Sequence, residues 1–266
     1  MKSKMAFTKK DFVVVFGCVV FLLMNLAAIG SGGRRRAKEA VCLSNLHQWG
    51  VMFDMFTNDN DGYFNRGWDV GEVELWMNAL RPYYGDDWDL LLCPEAASVV
   101  QSPVDSGTFR AWYRDVDTPD GAEIRAVSSY GINSWTNYMT KDRGTHKMEY
   151  FWKNVEGVNG KNNIPVFADS TWHDAWPMGN DLPAPHPDAA GWGNFGTRNE
   201  MRHFCIDRHN GAINGLLMDW SARKIGLKEL WTLKWHRKFN TAGPWTKAGG
   251  AQRFDWPSWM RNFKDY

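Results

Sequence analysis

The sequence lacks an excess of charge of either sign and lacks the common signatures of catalysis. Lysine and arginine number 31 against 30 aspartates and glutamates, which gives a formal net charge of +1. Such a balance offers no electrostatic footprint for nucleic acid. No His-Glu-x-x-His, Cys-x-x-Cys, Gly-x-Ser-x-Gly or phosphate-binding glycine loop occurs in the chain. We therefore predict that the protein is not an enzyme, has no cofactor and does not bind nucleic acid.

Adjacent polar pairs in the second half of the chain are the nearest approach to a catalytic pattern. Asp169-Ser170 and His173-Asp174 each place a carboxylate beside a possible partner. The sequence around them is rich in loop-forming residues. We interpret both pairs as turn and rim residues of surface loops.

Long apolar runs are absent except for one stretch near the N-terminus. Residues 12–29 are mostly apolar, with Asp11 at the entrance and Asn25 near the exit. As a helix this stretch spans about 27 Å, close to the hydrocarbon core of a bilayer. Four lysines precede it, as in a segment whose entrance stays in the cytoplasm. A cleaved secretory signal is the competing interpretation.

An amphipathic segment follows the apolar run and decides between these interpretations. Cys42, Leu46, Trp49, Phe53 and Phe56 are spaced four, three, four and three residues apart, so they share one helical face. A cleaved signal needs no such continuation. A filament subunit does, because its first helical half packs with its copies and its second half docks on its own globular domain. Glycines at 30, 32 and 33 predict a break between the two halves.

Five different short motifs occur one after another along the chain. They are Cys42-Leu43-Ser44-Asn45-Leu46, Asp59-Asn60-Asp61-Gly62, Cys93-Pro94, Ser129-Tyr130-Gly131-Ile132-Asn133, and Arg208-His209 followed by Asp219. In these motifs the chain resembles the type IV pilin and type II secretion pseudopilin superfamily. The match is to pseudopilin-like proteins with a prepilin-type N-terminal cleavage/methylation segment and a late His-x9-Asp-Gly signature, which is degenerate here because Asp219 precedes a tryptophan.

The resemblance implies a leader peptide of residues 1–6, cut by a prepilin peptidase between Ala6 and Phe7. Residues 7–57 would form the stem helix, with 12–29 as its membrane and filament part, and residues 58–266 the head. Asp11 would stand at the acidic fifth mature position and pair with the amine of a neighbouring subunit. The protein would be a single-pass inner-membrane protein with its head in the periplasm or on the cell surface, assembling with pilin-like subunits.

The resemblance also concerns the cysteines and a turn after the stem. Cys42 and Cys93 occupy its two cysteine positions, which leaves a disulfide and two buried thiols as open alternatives. Gly62 suits the positive φ of a turn that ends the helix. Asp59 and Asp61 could contribute to a calcium site, as in some pseudopilin heads, but no bidentate glutamate follows as in an EF-hand. A turn is the preferred interpretation, and Asn45 is taken as a structural motif residue.

We predict an α+β fold in which the stem packs on a small antiparallel β-sheet head with long loops and a C-terminal helix and tail. Predicted elements include a helix over 73–80, surface loops over 95–120, strands over 128–135 and 164–169, a hairpin over 212–225, and a final helix over 227–239. His209 and Asp219 lie at the two ends of one predicted strand. We interpret them as a structural brace of the hairpin in which His209 bonds backbone or loop.

Tryptophan is the residue in surplus, with 16 copies. Four of these rings fall in predicted loops, where exposed aromatic faces could stack on sugars: Trp172, Trp176, Trp192 and Trp220. The first functional hypothesis is therefore a structural filament subunit. The second is a surface-exposed pilin-like module that binds polysaccharide through these loop tryptophans.

Overall fold

Helix α1 runs over Lys9–Asp59 and is the longest element of the chain. The structure, a computed structural model, describes residues 9–85, 87–102, 106–188 and 199–266, without the side chains of 22–29 and 31. The chain divides into two compact units, Met1–Lys38 and Glu39–Tyr266, and α1 contributes to both. The predicted cleavage site at Ala6 and Phe7 lies outside the described residues.

The first unit, as far as it is described, consists of the beginning of α1. Asp11 lies in the first turn, where a carboxylate is favoured by the helix dipole. Large apolar side chains nearby are exposed, including Phe12, Phe16 and Phe21. Helical backbone continues through residues 30–33, so the predicted break at the glycines is wrong. In the part of the chain that the structure describes, no helix combines the length and the apolar character that crossing a membrane requires.

The second unit contains the amphipathic part of α1 as a core element. Leu46, Trp49 and Phe53 are fully buried, which confirms the predicted packing face. The Trp49 ring lies 5.0 Å from that of Phe167 and 5.4 Å from that of Trp76 in an edge-to-face contact. Aromatic contacts of this kind add to the stability gained by burial.

Eight strands among the described residues form two sheets. The strands are β1 (Ser98–Val99), β2 (Arg110–Asp117), β3 (Glu123–Ser128), β4 (Tyr130–Asn133), β5 (Pro165–Asp169), β6 (Asp174–Ala175), β7 (Ala212–Leu217) and β8 (Ala222–Gly226). One sheet has the order β1-β2-β3 and the other β6-β4-β5-β7-β8. β1 pairs with β2 and β4 with β6 in parallel, so both sheets are mixed and the prediction of an antiparallel head is wrong in this respect. The α+β class is confirmed.

The predicted elements are confirmed where short-range periodicity determines the secondary structure, and they are wrong where contacts between distant residues determine it. The strand over 164–169 and the hairpin over 212–225 are confirmed as β5, β7 and β8. The predicted loop over 95–120 contains β1 and β2. Its strand character was hidden because buried Trp112 and Val116 are surrounded by charged side chains.

Both short helices predicted in the head have a different form. The segment 73–80 contains the end of a 3-10 turn (Glu72–Glu74) and helix α2 (Trp76–Ala79), and helix α3 (Arg81–Tyr84) follows it. The final helix is only a 3-10 segment over Leu227–Thr232. It ends there because Asn163 forms hydrogen bonds with the backbone that a longer helix would use. The Asn163 side chain Nδ2 donates to Thr232 O (3.1 Å), and the Asn163 backbone carbonyl accepts from Lys234 N (2.8 Å).

Candidate functional site

Several motif residues of the chain meet in one closed cluster, the motif cluster, formed by Cys42, Cys93, Asp169, Arg208 and His209. Cys42 lies on α1, Cys93 follows a 3-10 turn, Asp169 ends β5, and Arg208 and His209 precede β7. All five residues are buried. Such a burial of charge requires internal partners, because an unpaired ion in the protein interior is costly.

Asp169 is the centre of the motif cluster. Its Oδ1 accepts a hydrogen bond from Arg208 Nη1 at 2.9 Å, and its Oδ2 lies 3.1 Å from His209 Nε2. The backbone N–H of Asn214 also donates to Oδ2 at 2.8 Å. The interpretation of Asp169 as a rim residue is therefore wrong, because β5 carries it into the core.

Arg208 is satisfied by backbone as well as by Asp169. Its guanidinium donates to the carbonyls of Thr108 (2.7 Å), Ser129 (2.5 Å) and Ser170 (3.2 Å). The three carbonyls come from three different segments, so the planar donor fork joins them. Arg208 therefore ties the loop before β2 to the ends of β3 and β5.

A tight turn positions His209. Asn210 and Gly211 have φ values of 55° and 77°, and His209 N donates to Ala212 O at 2.9 Å. Positive φ at both central positions is the pattern that Asn-Gly favours. The side chain consequently points to Cys93, in a loop as predicted, and also to Asp169 at the end of β5, which the sequence did not predict as a partner.

Asp219 takes no part in the motif cluster. It lies in the β7–β8 turn, where its Oδ1 accepts from Ser221 N at 3.1 Å and Ser221 Oγ at 2.6 Å. Trp220 has a φ of 64°, so it adopts the left-handed conformation that glycine usually supplies and that is uncommon for a tryptophan. The brace between His209 and Asp219 is therefore wrong, while the structural role of Asp219 in its own turn is supported.

Cys42 and Cys93 are free thiols in the structure, which is one of the two alternatives that the sequence left open. Cys42 Sγ lies 3.6 Å from Asp169 Oδ1 and accepts from Tyr130 Oη at 3.4 Å. Cys93 Sγ lies 3.5 Å from His209 Nε2. The two sulfurs belong to a group of four potential ligand atoms that all lie within 4.8 Å of one another.

The ionisation of the motif cluster follows from its pairing. Burial would raise the pKa of Asp169, but the charges of His209 and Arg208 and their hydrogen bonds hold it well below the usual range. Burial would lower the pKa of His209, yet Asp169 and Cys93 raise it to about 10. Burial raises the pKa of Cys42 well above its usual value, together with the neighbouring Cys93 and Asp169. The cluster therefore contains a buried carboxylate held between two cations.

These groups allow three kinds of chemistry at the motif cluster. The two thiols could oxidise to a disulfide. Alternatively, the thiols could stay protonated beside the Asp169, Arg208 and His209 ion pairs. A third possibility is that Cys42, Cys93, Asp169 and His209 ligate a metal ion. All five residues of the cluster are buried from solvent. The sequence predicted no metal other than a weak calcium possibility elsewhere.

The remaining structural motif residues are also accounted for. Asn45 Nδ2 donates to Asp89 O (2.8 Å) and Leu92 O (3.1 Å), which holds the segment before Cys93 against α1. Gly62 has a φ of 80° and its N–H bonds Thr57 O at 2.8 Å, so the predicted turn at the end of α1 is confirmed.

Asp59 and Asp61 do not form a ligand group with one another. Asp59 Oδ2 accepts from Tyr83 Oη at 2.8 Å, and Asp61 occupies a turn position with a φ of 51°. Across residues 9–85, 87–102, 106–188 and 199–266, the group with metal-ligand geometry is the one in the motif cluster. The calcium interpretation at Asp59 and Asp61 is not supported.

The loop tryptophans have different environments. Trp172 is buried and cannot offer a face to a sugar. Trp220 stacks on Phe53 at 6.3 Å and donates to Asp54 Oδ1 at 2.8 Å, so it belongs to the packing of α1. Trp192 lies outside the described residues. Trp176 is half-buried and borders a cavity.

That cavity, the Trp176 pocket, has a volume of about 660 Å³. Trp176 forms one wall with His146, whose ring is stacked on it at 4.8 Å and 10°. Arg143, Asp181 and Glu200 supply charged groups to the lining. An aromatic platform beside charged and polar groups is a common arrangement of small-ligand sites.

The carboxylates near the Trp176 pocket are shifted in the opposite direction from Asp169. Burial raises the pKa of Glu200 to about 7, and the charges of Asp174 and Asp181 add to this effect. Burial likewise raises the pKa of Asp181 to about 6, against hydrogen bonds from the backbone of Met178, Met201 and Glu200. The pocket therefore holds acids that take up protons near neutral pH.

Sequence reasoning missed Asp169 as a site residue and named Arg208 only as a motif neighbour. Asn210-Gly211 was the one local signal available, since it indicates the turn that aims His209. No family model, curated protein or solved structure matched this chain in the comparisons made.

Proposed function

We propose that this protein is a non-enzymatic structural subunit of a filament of the type IV pilus or type II pseudopilus kind. The observation that carries the proposal is the position of the motif residues. Cys42, Asn45, Tyr130 and His209 act together to hold α1 and the head in one core. Residues that serve packing in this way suit a scaffold, whereas catalytic residues would need access to a substrate.

The N-terminal part of the chain supplies the assembly device in this proposal. A prepilin peptidase cuts between Ala6 and Phe7, and residues 12–29 anchor the protein in the inner membrane before assembly. The exposed apolar side chains at the beginning of α1 then pack among copies. Asp11 pairs with the new amine of Phe7 on a neighbouring subunit, because a carboxylate near hydrocarbon is costly unless paired.

Mass spectrometry and electron microscopy of the tagged full-length chain test this proposal. We expect a mature N-terminus at Phe7 and filaments that label with the tag. Asp11→Asn should abolish assembly with the head still folded, while Asp11→Glu should retain it. A mature chain that begins at Met1, or filaments that persist unchanged in Asp11→Asn, would contradict the proposed mechanism.

A second candidate function is capture of polysaccharide at the Trp176 pocket. It is favoured by the stacked Trp176 and His146 rings in an open cavity with charged walls. Glycan-array binding by the full-length chain tests it. Trp176→Ala should abolish binding, whereas Trp88→Ala, which removes an exposed ring outside this pocket, should leave it intact. Equal binding by wild type and Trp176→Ala would rule out this candidate.

A further inference from the structure

The motif cluster has the ligand set of a closed metal site. It contains two cysteine sulfurs, one imidazole nitrogen and one carboxylate oxygen, all buried and within 4.8 Å of one another. Sulfur and imidazole nitrogen are ligands that Zn²⁺ prefers, whereas Ca²⁺ and Mg²⁺ prefer oxygen. We propose that Cys42, Cys93, Asp169 and His209 bind one structural Zn²⁺ ion.

Three of the six distances between the ligand atoms lie close to the edges of a tetrahedral site, and all six are within 4.8 Å. With metal bonds of about 2.3 Å to sulfur and 2.0–2.1 Å to nitrogen or oxygen, the edges of the tetrahedron measure about 3.3–3.8 Å. The Cys93 Sγ to His209 Nε2 edge is 3.5 Å, and the Cys42 Sγ to Asp169 Oδ2 edge is 3.8 Å. The His209 Nε2 to Asp169 Oδ2 edge is 3.1 Å. The side chains therefore need only small adjustments to enclose the ion.

Neighbouring groups already orient these ligands. Arg208 holds Asp169 by Oδ1, and Asn214 N–H contacts Oδ2, so the carboxylate has a fixed direction. Tyr130 Oη donates to Cys42 Sγ, as outer-shell donors commonly do to a metal-bound thiolate. These contacts are the supporting shell that a metal site requires.

Charge is also balanced when the ion is bound. Two thiolates and one carboxylate carry three negative charges, while the divalent ion and the Arg208 guanidinium carry three positive ones. A neutral total is what a closed site needs, because a net buried charge is costly. Arg208, which would repel a lone cation, thus completes the balance for this ligand set.

The site has a clear structural task. Its four ligands come from α1, the Cys93-Pro94 segment, β5 and the turn before β7. An ion that joins four distant segments stabilises the folded state, since the unfolded chain lacks the preformed site. Zn²⁺ would fasten the amphipathic part of α1 to the head.

Titration of the full-length chain with Zn²⁺ under reducing conditions, against a competing chromophoric chelator, tests the proposal. We expect one equivalent of Zn²⁺ per chain in the wild type. Cys93→Ser should weaken binding by more than about 100-fold, because even outer-shell changes cost 10- to 100-fold. Cys205→Ser is the matched control, since Cys205 is a buried thiol that contacts Met260 and lies outside the site, and it should bind like wild type.

X-ray absorption of the Zn²⁺-loaded wild type keeps the test decisive if Cys93→Ser does not fold. Two sulfur neighbours at about 2.3 Å and two nitrogen or oxygen neighbours at about 2.0–2.1 Å are expected. Three outcomes would overturn the proposal: no uptake by the reduced, folded wild type; equal uptake by Cys93→Ser; or a spectrum without sulfur. A Cys42–Cys93 disulfide in the native protein whose reduction restores no Zn²⁺ binding would also overturn it.

Discussion

The motif cluster and the Trp176 pocket bury acids of the same kind and ionise them differently. Asp169 is fully enclosed and has a pKa well below the usual carboxyl range. Glu200 is less enclosed and has a pKa of about 7. The difference lies in the neighbours, since Asp169 faces Arg208 and His209 whereas Glu200 faces Asp174 and Asp181. Burial disfavours the charged form of an acid, and the sign of the nearest charged neighbour decides whether the acid stays ionised at neutral pH.

The two regions therefore have different physical roles. The motif cluster is a closed junction whose buried carboxylate stays ionised because it is paired internally with Arg208 and His209. The Trp176 pocket keeps groups whose protonation changes near neutral pH, together with an aromatic wall that a ligand can reach. Perturbed acids in an accessible cavity are candidates for function, whereas perturbed acids in a closed pair are more often structural.

Removal of the central carboxylate gives the largest expected effect. Asp169→Asn leaves Arg208 and His209 as buried cations without a counter-charge. We expect a loss of about 3–5 kcal/mol in the free energy of unfolding, measured by urea denaturation of the full-length chain with a chelator present. Because the folded-state pKa of Asp169 is lowered, its contribution is present above the ordinary carboxyl range and is lost as the pH falls below it.

If Asp169→Asn were as stable as wild type at neutral pH, Asp169 would not be the counter-ion of Arg208 and His209. Denaturation in the presence of a chelator separates this ion pairing from any contribution of bound metal.

Removal of one cation should have a smaller effect. His209→Ala leaves Asp169 paired with Arg208 and Asn214 N–H, so we expect a loss of about 2 kcal/mol at pH 6–7. The folded-state pKa of His209 is raised to about 10. Its stabilisation is therefore complete below pH about 6.5 and declines as the pH rises through 10.

The stability of His209→Ala and wild type should converge in strongly alkaline solution. Measurement of both proteins by chemical denaturation over this pH range, with a chelator present, checks the sign. A difference that grows with pH would contradict the pairing of His209 with Asp169.

Removal of an acidic charge from the Trp176 pocket should increase the stability of the folded state rather than decrease it. Glu200→Gln keeps an acceptor oxygen but cannot ionise. The folded-state pKa of Glu200 is raised from 4.5 to about 7, so wild type loses stability as the pH rises from 4.5 to 7 and the variant does not. We expect Glu200→Gln to be more stable than wild type by on the order of 1 kcal/mol at pH 8 and nearly equal to it at pH 4.

Thermal denaturation of wild type and Glu200→Gln at the two pH values measures this gain. The exposed Glu149→Gln serves as the matched control for the substitution itself. A loss of stability in Glu200→Gln at pH 8 would mean that Glu200 has a cationic partner after all.

The smallest effect is expected from an acid paired at the surface. Asp115 accepts two hydrogen bonds from Arg125, at 2.8 and 3.0 Å, but both side chains are exposed. Solvent screens such a pair, so Asp115→Asn should change the urea midpoint very little, and added salt should reduce even that change. A loss comparable to that of Asp169→Asn would show that pairing matters more than burial in this protein.

The sequence alone predicts the features of the chain that depend on short-range periodicity. The buried face of α1 follows from the spacing of Cys42, Leu46, Trp49 and Phe53. The β7–β8 hairpin follows from a mostly apolar run over 212–218 and a short segment over 222–225 on either side of Asp219-Trp220-Ser221. In both cases neighbours within a few residues determine which side chains face the core.

The C-terminal segment shows why other elements could not be predicted. Its apolar spacing favours a helix over 227–239, but Asn163 binds the backbone of Thr232 and Lys234 and ends it early. That competitor lies about 70 residues away in sequence. Similarly, the parallel pairing of β4 with β6 depends on which strand edge is available after the sheet has formed.

For the candidate site as well, the sequence predicts some of the residues and only the tertiary structure shows the others. The motifs at Cys42, Cys93 and His209 identify three of its residues, but their order along the chain gives no indication that Asp169 joins them. Only the folded chain decides that Asp169 meets two cations while Glu200 meets two acids. The reason is that electrostatic pairing acts through distances in space, and the sequence separates these partners by 19 to 40 residues.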